Sequence, residues 1–157
     1  MNATAAVQVR NALYPVSEAQ KKGMFEAGPE GPIVMVNLLK FRDRAVYEDG
    51  RPCDLTGREA YALYGAEVGP MITAYGGRVL FVGDVTWLAI GEVDRLWDEV
   101  ALAQYPDRAA LAAMSTSAEW RAISVHRAAG LEGQLNIETV LPAWLRAAQD
   151  LSGIEAG

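Results

Sequence analysis

His126 is the only histidine among 157 residues, and so the only side chain whose unperturbed pKa lies near neutrality. Its chemistry would be that of a general acid or base, or of a single axial ligand to haem. A lone imidazole does not build a zinc site, and Cys53, the only cysteine, rules out an internal disulfide or a multi-thiolate metal site. At about 100° per helical residue, Trp120, Ile123 and Leu131 share one apolar face and His126 flanks it. That position suits either a pocket rim or a packing role. Arg127 falls inside the apolar stripe, where a guanidinium needs a carboxylate, a carbonyl or a bound anion. Glu138 is a candidate partner, giving a structural ion pair; the alternative is recognition of a ligand carboxylate.

Asn37 alternates onto the same face as Ile33, Met35, Leu39 and Phe41, so its amide must bond to protein or to a ligand. Lys40 points the other way, as a solvated or interface charge. Tyr61, Tyr64, Tyr75, Tyr105 and Trp87 could line an aromatic cavity or simply form core, and Tyr64, near Gly69-Pro70, is the cavity residue expected first. Asp84, Glu99 and Glu138 are strand carboxylates that would act as bases if buried, although no spacing brings two together. Gly76-Gly77-Arg78 follows a helix and lacks the lysine and serine or threonine of a phosphate loop. No Ser/His/Asp set or nucleophile elbow is present, and only Arg51 and Arg58 lie near Cys53, so a reactive thiol is not expected.

These side chains need elements to hold them. Ser17 caps a short helix ending near Gly28, within an N-terminal extension over residues 1–30. Ile33 to Phe41 reads as a strand apolar on both faces. A charged loop with Asp49-Gly50 leads to an amphipathic helix over residues 57–75, kinked at Pro70 and closed by Gly76-Gly77. Arg78 to Ile90 follows as a long strand with a bulge at Gly83, and a third strand runs from about Trp97 to Tyr105. Asp107 opens a helical stretch to residue 131, interrupted at Ser115-Thr116-Ser117. Gln134 to Val140 is the last strand, and a C-terminal extension over residues 141–157 carries a helix with Leu141, Trp144, Leu145 and Leu151 that must pack on something.

The length fits one core domain, over residues 31–140. The net charge of −6 with scattered basic residues argues against nucleic acid as a partner. No apolar run approaches the roughly 20 residues that span a bilayer. The early charged residues do not fit a signal peptide, so a cytoplasmic location is the expectation.

Strand, helix, strand, strand, helix, strand predicts an α+β, ferredoxin-like βαββαβ fold, with a four-stranded antiparallel sheet and both helices on one face. The uncovered apolar face predicts a homodimer packed sheet to sheet. Four features together resemble the dimeric α+β barrel superfamily, in its uncharacterised domain-of-unknown-function branch. They are Val36-Asn37-Leu38-Leu39-Lys40-Phe41, Tyr75-Gly76-Gly77-Arg78 after a helix containing Gly69-Pro70, Tyr105-Pro106, and Ser117-x-Glu119-Trp120 followed by His126-Arg127. The resemblance implies a dimeric barrel with a pocket between sheet and helices. Its wider relatives include cofactor-free monooxygenases, muconolactone isomerases and haem-binding proteins, and fold does not choose among them.

The expectation is therefore a homodimer with a small-molecule pocket. As an oxygenase or isomerase without a cofactor, it would use His126 as catalytic base, Arg127 to orient an anionic substrate, Asn37 or Tyr64 to hold developing charge, and Tyr105 and Trp87 as further walls. The alternatives are a non-catalytic ligand-binding or stress-related dimer, and a haem protein ligated through His126. No metal is expected.

Overall fold

A computed structural model describes residues 9–152. Its elements run α1 (Glu18–Gly23), β1 (Ile33–Phe41), α2 (Gly57–Ala74), β2 (Arg78–Asp84), β3 (Glu99–Tyr105), α3 (Arg108–Ser115), α4 (Ala118–Gly130), β4 (Leu131–Thr139) and α5 (Ala143–Ser152). The strands form one antiparallel sheet in the order β2-β3-β1-β4. This is the ferredoxin-like arrangement, with the second helix split into α3 and α4 at the interruption read at Ser115-Thr116-Ser117.

Local chemistry sets the helix ends. Thr56 and Glu59 form a reciprocal capping box at the start of α2. At the other end the Gly77 N–H donates to the Ile72 carbonyl and the Gly76 N–H to that of Thr73, with Gly76 at φ +86. That left-handed glycine lets the chain reverse directly into β2. The helix runs through Pro70 as one element. Ser117 accepts from the Trp120 N–H and so starts α4 after the three poor helix formers.

The register sorts the sheet's two faces. Toward the helices point Ile33, Met35, Asn37, Leu39 and Phe41 of β1, with Ala101, Ala103 and Tyr105 of β3 opposite. Ile33, Met35, Ala103 and Tyr105 pack there with Tyr64, Val68 and Ile72 of α2, Leu111 and Met114 of α3, and Ile123 of α4. On the other face, Phe81, Leu102, Val36 and Ile137 align in a row across all four strands, beside Val100, Leu38 and Leu135. The start of α2 meets the end of α4 backbone to backbone: a Cβ at Gly57 would strike the carbonyls of Arg42 and Gly130.

Several boundaries differ from expectation. β2 ends at Asp84 instead of Ile90, because β3 begins only at Glu99. Asp98 closes the sheet there: its carboxylate accepts from the Phe41 N–H at 2.9 Å and from Lys40 Nζ at 2.9 Å. Residues beyond Val85 therefore have no ladder partner, and Trp87 is 78% exposed in the loop that follows. The bulge lies between Val79 and Phe81, not at Gly83. β4 begins three residues early, at Leu131, which is fully buried against Leu39 and Phe41. α1 stops at Gly23. In α5, Trp144 is exposed, while the side chain of Leu151 and residues 1–8 lie outside the described residues.

Candidate functional site

A cavity of about 890 Å³ lies between the helix-side face of β1 and β4, the α3–α4 pair and the N-terminal segment around Leu13 and Met24. Apart from the short helix α1, that segment has no regular structure. It is fixed by a two-way bridge in which Ala12 and Gln134 exchange backbone hydrogen bonds of 3.0 and 3.1 Å. The part of the cavity roof around Leu13, ahead of α1, is thus sequence that carried no strong pattern.

Arg127, in the last turn of α4, lines this cavity and is 8% exposed. Its Nε and Nη2 donate to Gln134 Oε1 at 3.1 and 2.9 Å, and Nη2 donates to the Leu13 carbonyl at 2.7 Å. Among the described residues no carboxylate pairs with it, and Nη1 makes no hydrogen bond. The anticipated partner Glu138 is taken by Arg108 in a two-pronged bridge of 2.7 and 2.8 Å. The guanidinium of Arg108 holds the Glu138 carboxyl below the usual carboxylate range, against a smaller upward push from burial.

Gln134 extends the network, its Nε2 donating to Asn37 Oδ1 at 3.3 Å, while Asn37 Nδ2 donates to the carbonyls of Met35 and Ala101. The Asn37 amide is therefore satisfied by protein, with one edge facing the cavity. Tyr64 is buried and accepts a 3.2 Å hydrogen bond from Trp120 Nε1, which leaves its own O–H free to donate. Tyr105 is 4% exposed, and its hydroxyl has no partner among the described residues. Burial raises the phenols of Tyr61, Tyr64 and Tyr105, so all three are neutral donors.

A second cavity of about 500 Å³ opens between α2 and the helix-side face of β2 and β3. Asn37, Tyr61, Tyr64 and Tyr105 stand between the two and line both. At its mouth Arg58 bridges Asp84 at 2.6 Å and Glu99 at 3.1 Å, with its guanidinium 4.6 Å from the centre of the Phe41 ring. Burial raises the Glu99 carboxyl and Asp84 adds to the rise, while Arg58 opposes it.

Of the residues singled out from sequence, the fold brings together Asn37, Tyr64, Tyr105 and Arg127 and leaves two outside. His126 lines neither cavity. Its Nδ1 shares a 2.7 Å hydrogen bond with the Tyr47 hydroxyl, and the two rings meet edge to face. The same helical turn that buries Arg127 swings the neighbouring imidazole to the opposite side of the cavity wall, so His126 is not placed as a base or haem ligand there. Trp87 is excluded because β2 ends before it. Gln134 was missed, although its alternation with Asn136 and Glu138 put a polar row on the inner face of β4. Among the described residues no group of three or more His, Cys, Asp or Glu is placed to hold a metal ion. No helix among them is long and apolar enough to cross a membrane.

Comparison with known proteins fits this architecture. The family described as a domain of unknown function, DUF1330, matches residues 52–139. No curated protein matches the chain. The crystal structure of a protein of unknown function from Rhodopseudomonas palustris is 34% identical, covers 85% of this chain and 100% of its own, and superposes with a TM-score of 0.73. The methylated form of that protein is 36% identical, covers 85% of this chain and 98% of its own, and has a TM-score of 0.74. A dimeric ferredoxin-like protein of unknown function from Thermobifida fusca is 15% identical over 71% of this chain and 92% of its own, with a TM-score of 0.48. On the extent of the family match and the identity to the Rhodopseudomonas palustris protein, the chain belongs to the DUF1330 family.

Proposed function

We propose that this protein is a homodimer whose subunits each bind a small organic carboxylate in the larger cavity, with Arg127 taking the carboxylate. One observation carries the reading: Arg127, a buried guanidinium lining a cavity of about 890 Å³, has no carboxylate partner among the described residues, and its Nη1 makes no hydrogen bond to them. Burying a charge without a counter-charge is costly, and a ligand anion removes that cost. Gln134 and the Leu13 carbonyl hold the guanidinium in place, while the Tyr64 and Tyr105 hydroxyls add neutral donors within reach of the same space. Met35, Leu111 and Trp120 give the rest of the wall an apolar character suited to a hydrocarbon or aromatic body.

The groups in this cavity favour recognition over turnover. Glu138 is held ionised by Arg108, the phenols are held neutral, and His126 is bonded to Tyr47 outside it. The dimer reading rests on the sheet's outer row, where Phe81 and Ile137 are exposed and continuous with Leu102 and Val36.

Calorimetric titration with phenylacetate and with its uncharged analogue 2-phenylethanol tests the site. Phenylacetate binds the wild type more tightly, and Arg127→Gln weakens it about 30-fold or more, the cost of losing a buried charged partner. Arg127→Lys, which keeps the charge but loses the fork, falls between. Equal affinity for acid and alcohol would remove the carboxylate reading.

A further inference from the structure

We infer that the smaller cavity, between α2 and β2–β3, is a proton-transfer site for a small neutral carbonyl compound, with Glu99 as its base and the Tyr61 phenol as the donor to its carbonyl oxygen. The site is separate from the Arg127 cavity and shares with it only the wall of Asn37, Tyr61, Tyr64 and Tyr105.

The geometry is that of a base facing donors across an apolar space. Glu99, on the helix-side face of β3, has a side chain only 14% exposed, and its one side-chain polar partner among the described residues is Arg58 at 3.1 Å. Arg58 is held more closely by Asp84, at 2.6 Å, so it neutralises Glu99 incompletely. The groups facing Glu99 from the packed elements are Arg58, Tyr61 and Tyr64 of α2, Asp84 of β2 and, farther along its own strand, Tyr105. Among the described residues the Tyr61 hydroxyl is unpartnered, and so is that of the deeply buried Tyr105; both line the cavity. Neither oxygen is sealed off, so each can donate into the cavity. The Glu99 carboxyl and the Tyr61 phenol, each raised chiefly by burial, agree with this arrangement: a base stronger than an ordinary carboxylate and a phenol that stays a donor.

Charge and wall composition set the substrate class. Arg58 contributes one positive charge against two negative ones from Asp84 and Glu99, so the pole is net negative and disfavours an anionic substrate. Val68, Ile72, Val79, Val82 and Ala103 make the walls apolar. About 500 Å³ admits a compound of roughly ten to fifteen heavy atoms, toward the small end of ligand cavities.

The step balances without a co-reactant. A Glu99 carboxylate oxygen takes the proton from the carbon beside the carbonyl. The C–H electron pair forms the carbon–carbon double bond, and the carbonyl π pair moves to oxygen, where Tyr61 donates to the enolate. Protonated Glu99 then returns a proton to the same carbon, giving exchange, or to another carbon of the conjugated system, giving isomerisation.

The test follows deuterium incorporation into phenylacetone in D2O by NMR. Full-length wild type accelerates exchange at the benzylic carbon at least tenfold over buffer. Glu99→Gln returns the rate to the buffer value, and Tyr61→Phe lowers it about tenfold or more. The wild-type rate rises with pH through one ionisation lying above the ordinary carboxylate range, a signature that a packing role for Glu99 does not produce and that requires no variant. Absence of acceleration by the wild type, a flat pH profile, or undiminished exchange in Glu99→Gln overturns the proposal. Phenylacetate titration of the same Glu99→Gln sample separates the two cavities: its affinity persists if the Arg127 reading holds, whatever the exchange experiment returns.

Discussion

Two carboxyls on the same inner sheet face, Glu99 and Glu138, are pushed in opposite directions, and their contributions to stability have opposite signs. Arg108 lowers Glu138, so its contribution is fully present above the unfolded value near pH 4.3 and is lost as pH falls through the lowered folded value. Burial raises Glu99, so the folded state holds its proton longer, and stability declines as pH rises from that same unfolded value through the raised one. At pH 7, Glu99→Gln therefore raises the thermal midpoint. Glu138→Gln lowers stability by about 1 kcal/mol, a figure discounted for solvent screening. The Glu99 difference vanishes below about pH 4, whereas the Glu138 difference persists there and fades only as pH falls on through its lowered folded value, which thermal melts across a pH series will show. The burial of Arg127 was legible from its place in the stripe of Trp120 and Ile123. Its partners were not, because nothing along the chain says that Glu138 faces Arg108 or that Leu13 crosses above Gln134. His126 attracted notice through its intrinsic pKa, yet chemistry depends on where a ring points, and Tyr47, 79 residues away in sequence, decides that.

At the level of elements, helix ends were readable because their signals are local: Thr56 with Glu59, Ser117, and Gly76-Gly77 each act within a single turn. Strand ends were less so, since a strand lasts only as long as its neighbour. Val85 to Ile90 has strand-forming composition, but the Asp98 carboxylate caps Phe41 and turns β3 away before it can pair. The junction of α2 with α4 offers a direct test of packing. Gly57→Ala forces a methyl group into the carbonyls of Arg42 and Gly130, and Gly130→Ala does the reverse against the Gly57 carbonyl. Each costs about 1–3 kcal/mol by overpacking, seen as a fall in the thermal midpoint of roughly 2–4 °C per kcal/mol by circular dichroism. An alanine at half-buried Gly23, where a Cβ meets nothing, leaves the midpoint unchanged or slightly higher.

At the scale of the whole molecule, the order of strands and helices carried the fold, and the apolar character of both faces of β1 carried the expectation of a second copy. Phe81 and Ile137 lie at opposite edges of the outer row and are exposed in the single chain, so lysine at either leaves the subunit's own core untouched. Sedimentation equilibrium should show a dimer for the wild type and a folded monomer for the Phe81→Lys, Ile137→Lys double variant; a monomeric wild type at micromolar concentration would remove the dimer. The larger cavity was only half legible, because its floor follows strand alternation whereas its roof is a stretch with no periodicity. That roof has a further meaning. The family match covers residues 52–139 and includes Arg127 and Gln134, but Leu13 and its neighbours lie outside it. The stretch around Leu13 is joined to the sheet by a single backbone bridge, at Ala12 and Gln134, so exchanging it between relatives is expected to change what the cavity admits while the sheet folds as before.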